Sequence, residues 1–208
     1  GIKMFTDGVL VVGMSNLETD MGSANPAKDA GLEIGDILCT LDGQQVYTNE
    51  DVSRIISASK GKQVECTYRR GGEYKTTILT PLQSRAGTAY RIGIWVRDST
   101  AGIGTLTYCD FSNQTFAGLG HGVCDVDTGE LMPLMSGEIV DVTINDIIKG
   151  KPGSPGELRG VFHEDTLLGE LTSNQDTGVF GKLFFDYTNP YELPMAFRQE
   201  VKEGPAQI

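Results

Sequence analysis

The sequence predicts a mainly β protein built in two parts, and three observations support this fold class. Apolar residues occur mostly in short runs bounded by turn-forming residues, which is typical of strands. The 27 glycines fit a chain with many tight turns. Helical spacing is found only in the first 82 residues, and helix signals nearly vanish beyond residue 88. We therefore expect a small α+β unit followed by an all-β unit.

The first unit, residues 1–82, opens with a short buried strand at residues 8–12. A brief helix follows, and its boundaries are marked by three residues. Asn25 can cap the helix, Pro26 takes the first position, where proline is tolerated, and Gly31 ends it.

The rest of the first unit is predicted to contain a strand, a second helix and a hairpin. The strand at residues 34–41 ends on Asp42-Gly43, a strong turn dipeptide. The second helix opens near Thr48, and its apolar side chains recur at i, i+3 and i+4 spacing: Val52, Ile55 and Ile56. Strand-like runs at residues 63–68 and 74–79 flank a glycine pair, which predicts the hairpin.

This order of elements, with the run Asn25-Pro-Ala-Lys-Asp-Ala-Gly-Leu-Glu-Ile-Gly-Asp-Ile-Leu38, resembles a bacterial, HtrA-type PDZ domain. The resemblance implies that backbone N–H groups of a loop ahead of the first strand bind a protein C-terminus; this loop would be Gly1, Ile2, Lys3 and Met4. The bound peptide would add as a strand between that edge and the helix that carries Val52, Ile55 and Ile56. The alternative is a vestigial groove, or one filled by the protein's own segment.

The second unit, residues 89–208, follows a short polar linker at residues 83–88. Its short strands, separated by turn clusters, predict a mostly antiparallel β-barrel or sandwich. We expect these strands at residues 90–96, 103–108, 139–144, 167–171 and 179–185, and a loop at residues 147–156.

The chain is acidic, with a formal net charge of −11 and a pI near 4.6. This argues against nucleic acid as a partner, because a phosphate-binding surface needs clustered Lys and Arg. The only dense basic spot, Arg69-Arg70, is predicted to be a solvated hairpin end. No run approaches the ~18 apolar residues of a membrane span.

Each of the four cysteines lies in an apolar, strand-like run, which favours structural thiols: Cys39, Cys66, Cys109 and Cys124. A disulfide between Cys109 and Cys124 stays open as an alternative, because spacing does not determine pairing. We do not expect a zinc site, since the two histidines are isolated from paired cysteines. The sequence indicates no cofactor.

His121 is the main candidate for chemistry. Only two histidines occur in the chain, and this one lies in the run Phe116-Ala-Gly-Leu-Gly-His-Gly-Val-Cys-Asp125. Histidine is the side chain most often used as a general base near neutral pH. The flanking Gly120 and Gly122 would let a substrate backbone approach closely. The alternative is a histidine satisfied within an apolar core.

The His121 segment and the run Ile94-Trp-Val-Arg-Asp-Ser-Thr-Ala-Gly-Ile-Gly104 resemble the stage IV sporulation protein B peptidase family, as do residues 151–157 and 169–181. The resemblance spans essentially the whole chain. It implies a serine endopeptidase with a chymotrypsin-like double barrel and with His121 as the general base. It also implies export to the space around the developing endospore, where such enzymes cleave themselves and a regulatory membrane protein and so trigger maturation of a sigma factor.

The resemblance places the catalytic acid and serine beyond the end of this chain, so we expect a barrel truncated at its C-terminal end and no hydrolysis by this chain. Ser136 and Ser154 are interpreted as turn serines, and Ser154 is flanked by prolines, which lack the N–H that an oxyanion hole needs. Asp125 and Asp127 are interpreted as turn residues. His163 is interpreted as a surface residue.

Two further readings stay open. The chain could be a non-catalytic adaptor whose PDZ groove binds protein C-termini, or, with weaker support, a metal-dependent hydrolase. An open half-barrel would also expose strand edges, which favours dimerisation or strand swapping.

Overall fold

The computed structural model describes residues 1–85, 87–184 and 195–205. Two helices lie in the first half of the chain, α1 (Pro26–Asp29) and α2 (Asn49–Ala58). The strands, in chain order, are β1 (Ile2–Met14), β2 (Leu17–Thr19), β3 (Gly22–Ala24), β4 (Ile37–Leu41), β5 (Gln44–Gln45), β6 (Val64–Arg70), β7 (Glu73–Leu79), β8 (Leu82–Gln83), β9 (Tyr90–Arg91), β10 (Ile94–Gly102), β11 (Leu106–Asp110), β12 (Thr115–Gly118), β13 (Leu134–Ile148), β14 (Glu157–Gln175) and β15 (Gly178–Leu183).

Both predicted helices form, and local side chains define their starts. The Asn25 side chain accepts a hydrogen bond from the Lys28 N–H, and Pro26 occupies the first turn of α1. At α2, Thr48 and Asp51 form a capping box in which each side chain bonds the other's backbone N–H. These contacts satisfy N–H groups that a helix start otherwise leaves without partners.

The first of two hydrophobic clusters lies beneath α2. It joins the buried face of that helix to β1, β4, β6 and β7, and it includes Val9, Val11, Leu38, Leu41, Val52, Ile55, Ile56, Val64, Leu79 and Ile92. Each fully buried aliphatic side chain of this kind contributes about 1.5–3 kcal/mol. The 3.6-residue periodicity of α2 therefore places its apolar stripe where the sequence analysis expected it.

Eleven of the described strands form one large sheet in the order β11-β12-β15-β14-β13-β1-β4-β6-β7, with β10 also paired to β1 and β5 to β4. β2 pairs with β3 and β8 with β9 in two small sheets. The predicted mainly β fold is confirmed. The described strands follow an open path, and no closed barrel is found among them.

The first strand is shared between the two units. On one edge of β1, residues 2–6 pair with β13, and the second half of the strand, from Val9, pairs with β4. On the other edge, β10 pairs along nearly the whole strand. The second hydrophobic cluster includes Ile2 and Met4, packed with Phe116, Met132, Ile139, Leu171, Val179 and Leu183.

This arrangement corrects the expected carboxylate-binding loop. Ile2, Lys3 and Met4 lie inside a sheet with a strand on each side, so no free edge is left there for a peptide. Ile2 and Met4 are buried, and the Lys3 ammonium lies 3.0 Å from Glu164. The Gly1 ammonium donates to the Val140 carbonyl at 2.7 Å. Ile2 and Met4 belong to the second hydrophobic cluster instead.

A long antiparallel arm extends from the second cluster. Beyond the part of β13 that pairs with β1, the described residues show β13 and β14 paired only with each other, from Asp141↔His163 to Ile148↔Glu157. The predicted loop forms the end of this arm, at residues 149–156.

Arg70 is not the solvated hairpin end that the sequence analysis expected. Its Nε and Nη2 atoms donate to the two oxygens of Asp36 at 2.6 and 2.7 Å, and the Asp36 side chain is 1 % exposed. Arg70 also pairs with Glu33 and lies over the ring of Tyr68. A buried carboxylate needs such a partner.

All four cysteines are free thiols, and the possible Cys109–Cys124 disulfide does not form. Cys66 is buried, Cys39 and Cys109 are half-buried, and Cys124 is exposed.

Candidate functional site

His121 lies in an irregular segment just after β12. Leu119 and Gly120, which precede it, adopt positive φ angles of 71° and 99°. The Leu119 N–H is held by the Thr105 carbonyl at 3.0 Å. This turn carries His121 out of the sheet, and its side chain is exposed. The alternative of a core histidine therefore does not match the structure.

One ring nitrogen of His121 has a backbone partner. Nδ1 lies 2.9 Å from the carbonyl oxygen of Gly122. Because a carbonyl can only accept, Nδ1 carries the proton of this hydrogen bond. In the neutral ring, Nε2 then presents a lone pair. This is the tautomer that a general base requires.

Gly122 is required by packing. A Cβ atom on this residue would lie 2.7 Å from the backbone oxygen of Gln175. Close approach of β14, rather than of a substrate, therefore explains this glycine. Gly120 has open space around its Cα, and its positive φ explains the choice of glycine there.

Asn174, on β14, fastens the segment that follows His121. Its Oδ1 accepts from the Val123 N–H at 2.8 Å, and its Nδ2 donates to the carbonyls of Val123 and Met132, both at 2.9 Å. One amide side chain thus satisfies both backbone groups of Val123, two residues after His121.

Asp125 organises the next turn. Its side chain accepts from the backbone N–H groups of Asp127 and Thr128, at 3.0 and 2.9 Å, and from the Thr128 hydroxyl. This supports its interpretation as a turn residue. Burial alone would raise the pKa of Asp125, but these hydrogen bonds and the charge of Arg97 outweigh it and hold the pKa below its usual value.

Arg97, on β10, neutralises this turn. Its guanidinium pairs with the fully buried carboxylate of Asp125 and lies 2.8 Å from the carboxylate of Asp127. Both carboxylates are therefore engaged by Arg97, and neither has a hydrogen bond to His121 among the described contacts.

The other candidate residues lie elsewhere. Ser136 is exposed on β13 opposite Phe5, and Ser154 is exposed at the end of the arm. His163 lies within β14, with Nε2 2.8 Å from the hydroxyl of Thr143. Among the described residues, no hydrogen bond joins any of these three to His121.

A groove lies between α2 and the chain that enters β10. It encloses about 400 Å³, with Val52 and Ile56 on the helix side and residues 89–96 on the other. Ile55 is buried in the first cluster and does not line the groove. The second wall of this groove is formed by residues 89–96 rather than by the Gly1–Met4 segment, and β10, which contacts the start of α2 through Asp98, is the strand that pairs with β1 here.

Within the described residues, no group of three or more His, Cys, Asp and Glu side chains is placed to hold a metal ion. No helix in the described part of the chain is long and apolar enough to cross a membrane.

Sequence reasoning missed Arg97, Asn174 and residues 89–93 as parts of these sites. Arg97 lay in a run already singled out for family resemblance, but its partners lie 28 and 30 residues away. Asn174 is separated from Val123 by 51 residues. No local pattern reports such contacts.

Comparison with known proteins agrees with this two-part architecture. A family model described as SpoIVB peptidase S55 matches residues 88–208, and a PDZ domain model matches residues 2–80. The crystal structure of the PDZ domain of the SdrC-like protein from Listeria monocytogenes is 26 % identical, covers 43 % of this chain and 87 % of its own, and has a TM-score of 0.35.

Two curated relatives match over shorter stretches. A protein of Clostridium perfringens, provisionally named a zinc metalloprotease, is 31 % identical over 70 residues, which are 34 % of this chain and 21 % of the relative. One of Bartonella henselae with the same kind of name is 34 % identical over 80 residues, 38 % of this chain and 22 % of the relative. The chain thus spans about a fifth of the length of these relatives.

The S55 match covers more than half of the chain and includes His121, Arg97 and Asn174. The PDZ match covers the first hydrophobic cluster up to β7. The protein therefore belongs to the SpoIVB peptidase S55 family and carries a PDZ domain ahead of its peptidase region.

Proposed function

We propose that this protein is a serine endopeptidase in which His121 is the general base. The observation that carries the proposal is the exposed imidazole whose Nδ1 proton is held by the Gly122 carbonyl, because this leaves Nε2 free to accept a proton. In a serine peptidase that proton comes from the nucleophilic hydroxyl. The family match supports a peptidase.

The nucleophile and the catalytic acid are proposed to lie outside this chain. In support, no described serine hydroxyl or carboxylate is hydrogen-bonded to His121. The 208-residue chain by itself is therefore expected not to hydrolyse peptide bonds.

The cellular role is proposed from the family resemblance. The enzyme is exported to the space around the developing endospore, cleaves itself, and cleaves a regulatory membrane protein, which triggers maturation of a sigma factor. The groove beside α2 is proposed to bind the C-terminus of a protein.

The test uses the protein expressed from its complete reading frame. We expect His121→Ala to lower self-cleavage by about 10³-fold or more, as loss of a triad member does. His163→Ala, the matched control, is expected to leave the rate within about two-fold. Retained cleavage in His121→Ala would overturn the assignment.

Inhibitors separate the reaction types. A fluorophosphonate that labels nucleophilic serines should block cleavage, and a zinc chelator should leave it unchanged. Loss of activity on chelation, restored by added zinc, would instead support the metal-dependent type for which the two relatives are named.

A non-catalytic adaptor is the second candidate, and the groove between α2 and β10 favours it. An adaptor predicts peptide binding that is unaffected by His121→Ala and no cleavage from the complete reading frame.

A further inference from the structure

The two ends of the His121 segment are attached to neighbouring strands of the large sheet. Before the segment, Gly118 is the last residue of β12 and pairs with Val179 on β15. After the segment, Val123 is hydrogen-bonded through both backbone groups to the side chain of Asn174 on β14. Val179 also pairs with Asn174, so three adjacent strands hold both ends. The residues between these ends therefore span a fixed distance.

A single peptide group connects His121 to Asn174. The Gly122 carbonyl and the Val123 N–H belong to the same peptide unit, and in a trans unit these two groups point in opposite directions. The carbonyl oxygen accepts from Nδ1 of His121 at 2.9 Å, and the N–H donates to Oδ1 of Asn174 at 2.8 Å. The Asn174 amide therefore sets the plane of the group that binds the imidazole.

The Asn174 amide has one orientation that satisfies all its contacts. Its Nδ2 atom donates to the carbonyls of Val123 and Met132, and its Oδ1 atom accepts from the Val123 N–H. After a flip, Nδ2 would face an N–H and Oδ1 would face two carbonyls, so all three hydrogen bonds would be lost. The amide is thus locked, and the peptide plane with it.

The described groups offer Nδ1 no stronger partner than this peptide group. The carboxylates of Asp125 and Asp127, which could orient a histidine as the acid of a triad does, are engaged by Arg97 instead. The Gly122 carbonyl has one further described side-chain contact, the Cys124 thiol at 3.9 Å, which is a weak donor. The hydrogen bond from Nδ1 to the Gly122 carbonyl is therefore not in competition with a better one.

We propose that Asn174 is a positioning residue for His121, and that it fixes the tautomer and the direction of the ring through the peptide group between residues 122 and 123. The inference rests on the proposed role of His121 as general base. When Nε2 takes a proton from a hydroxyl, the ring becomes a cation, and its Nδ1–H donates more strongly to the Gly122 carbonyl. Hydrogen bonds in a chain polarise one another, so the bond from the Val123 N–H to Asn174 strengthens in the same step.

The tautomer is measured directly by NMR of the 208-residue chain labelled with ¹⁵N in its histidines. Only His121 and His163 give signals, and His163→Gln identifies those of His163. Which ring nitrogen carries the proton depends on its hydrogen bonds, and a histidine free in water favours Nε2. At about pH 8.5, where an ordinary histidine is neutral, we expect His121 to carry its proton on Nδ1.

Asn174→Ala removes the anchor of the peptide group. In this variant we expect the His121 signals to shift to the Nε2–H form that predominates in water, while the His163 signals stay unchanged. Asn174→Ser is a second variant with the same expected shift, because its hydroxyl is one bond shorter than the amide and cannot reach three backbone groups at once. Gln175→Ala is the matched control. It removes an amide from the next residue of β14, whose side chain is exposed and bonds only Ser173 among the described contacts, so the Nδ1–H form should persist.

Self-cleavage of the protein from its complete reading frame gives the second measurement. Asn174→Ala should slow it about 10- to 100-fold, as misplacement of a catalytic group does, and Gln175→Ala should leave it within about two-fold.

The two measurements separate this inference from the proposed function. A His121 ring that carries its proton on Nε2 in the unaltered chain, or that keeps it on Nδ1 in both Asn174 variants, would overturn the inference. Unchanged self-cleavage in the Asn174 variants, with His121→Ala inactive, would also overturn it and leave His121 as the base. Cleavage that persists in His121→Ala would overturn the proposed function, and the positioning role would fail with it.

Discussion

Two carboxylates are buried in the described part of the molecule, and each is paired with an arginine. Asp36 is bound by Arg70 through two parallel hydrogen bonds, and Asp125 is bound by Arg97. The hydrogen bond to Asp36 raises the pKa of Arg70, so this guanidinium stays charged. An isolated buried charge would cost far more than either pair contributes. These pairs are therefore needed to avoid a penalty rather than to add stability.

Removing Arg70 should expose that penalty. We expect Arg70→Ala to lower the free energy of unfolding by about 3 kcal/mol, because the 1 % exposed Asp36 is left without its cation. Urea denaturation at neutral pH measures the change.

Arg85→Ala is the matched control for this measurement. Arg85 also pairs with an aspartate, Asp20, but the two side chains are 60 % and 96 % exposed. An exposed pair contributes little, so the change should stay within about 0.5 kcal/mol. Equal losses in the two variants would contradict the argument from burial.

At the level of the elements, the sequence predicts best what is determined locally. The caps at Asn25 and Thr48 and the apolar spacing of α2 lie within a few residues of one another, and both helices form as expected. The hairpin of β6 and β7 is found for the same reason, since its turn and its alternating residues are contiguous.

The elements that the sequence could not predict depend on distant partners. Residues 8–12 were expected to form a short strand, but the strand runs from Ile2 to Met14 because β13 and β10 pair with its first half. His121 could be singled out because histidine is rare in this chain and glycines flank it. The wall of the groove could not be predicted, because it is formed by β10, which lies about 90 residues after β1, the strand with which it pairs.

The strands also determine how the four thiols react. Cys66 lies on the buried face of β6, and burial raises the pKa of its thiol to about 12. Burial likewise raises the pKa of the half-buried Cys39 and Cys109. Only a thiolate attacks a disulfide reagent. The folded protein therefore presents Cys66 as an unreactive neutral thiol.

We expect one fast-reacting cysteine per chain when the native protein is mixed with an aromatic disulfide reagent at pH 8. This is the exposed Cys124, and Cys124→Ser should remove the fast phase. Cys66 should react only at the rate of unfolding. A fast phase that survives in Cys124→Ser would contradict the assignment of the reactive thiol to Cys124.

The pKa of Cys66 is higher in the folded than in the unfolded protein. The free energy of unfolding should therefore fall as the pH rises above the usual thiol pKa, ~8.5.

At the scale of the whole molecule, the open sheet has two end strands that differ in character. The end strand β7 carries Glu73 and Lys75, and charges of this kind oppose pairing with another chain. The other end strand, β11, has the sequence Leu106-Thr-Tyr-Cys-Asp110, with no charge before its last residue. Leu106 and Tyr108 are 38 % and 40 % exposed, and within the described residues β11 pairs only with β12.

We therefore expect two copies of this chain to associate through β11. Light scattering coupled to size exclusion should show a mass that rises from 22.4 kDa toward twice that value with increasing concentration. Tyr108→Lys should shift the equilibrium to the monomer, because a lysine on the strand must lose its hydration when a second strand is added beside it. Tyr74→Lys on β7 makes the same chemical change at the other end of the sheet and should leave the mass unchanged. A monomer at every concentration would contradict association at either edge, and a monomer produced by Tyr74→Lys alone would place the contact at β7.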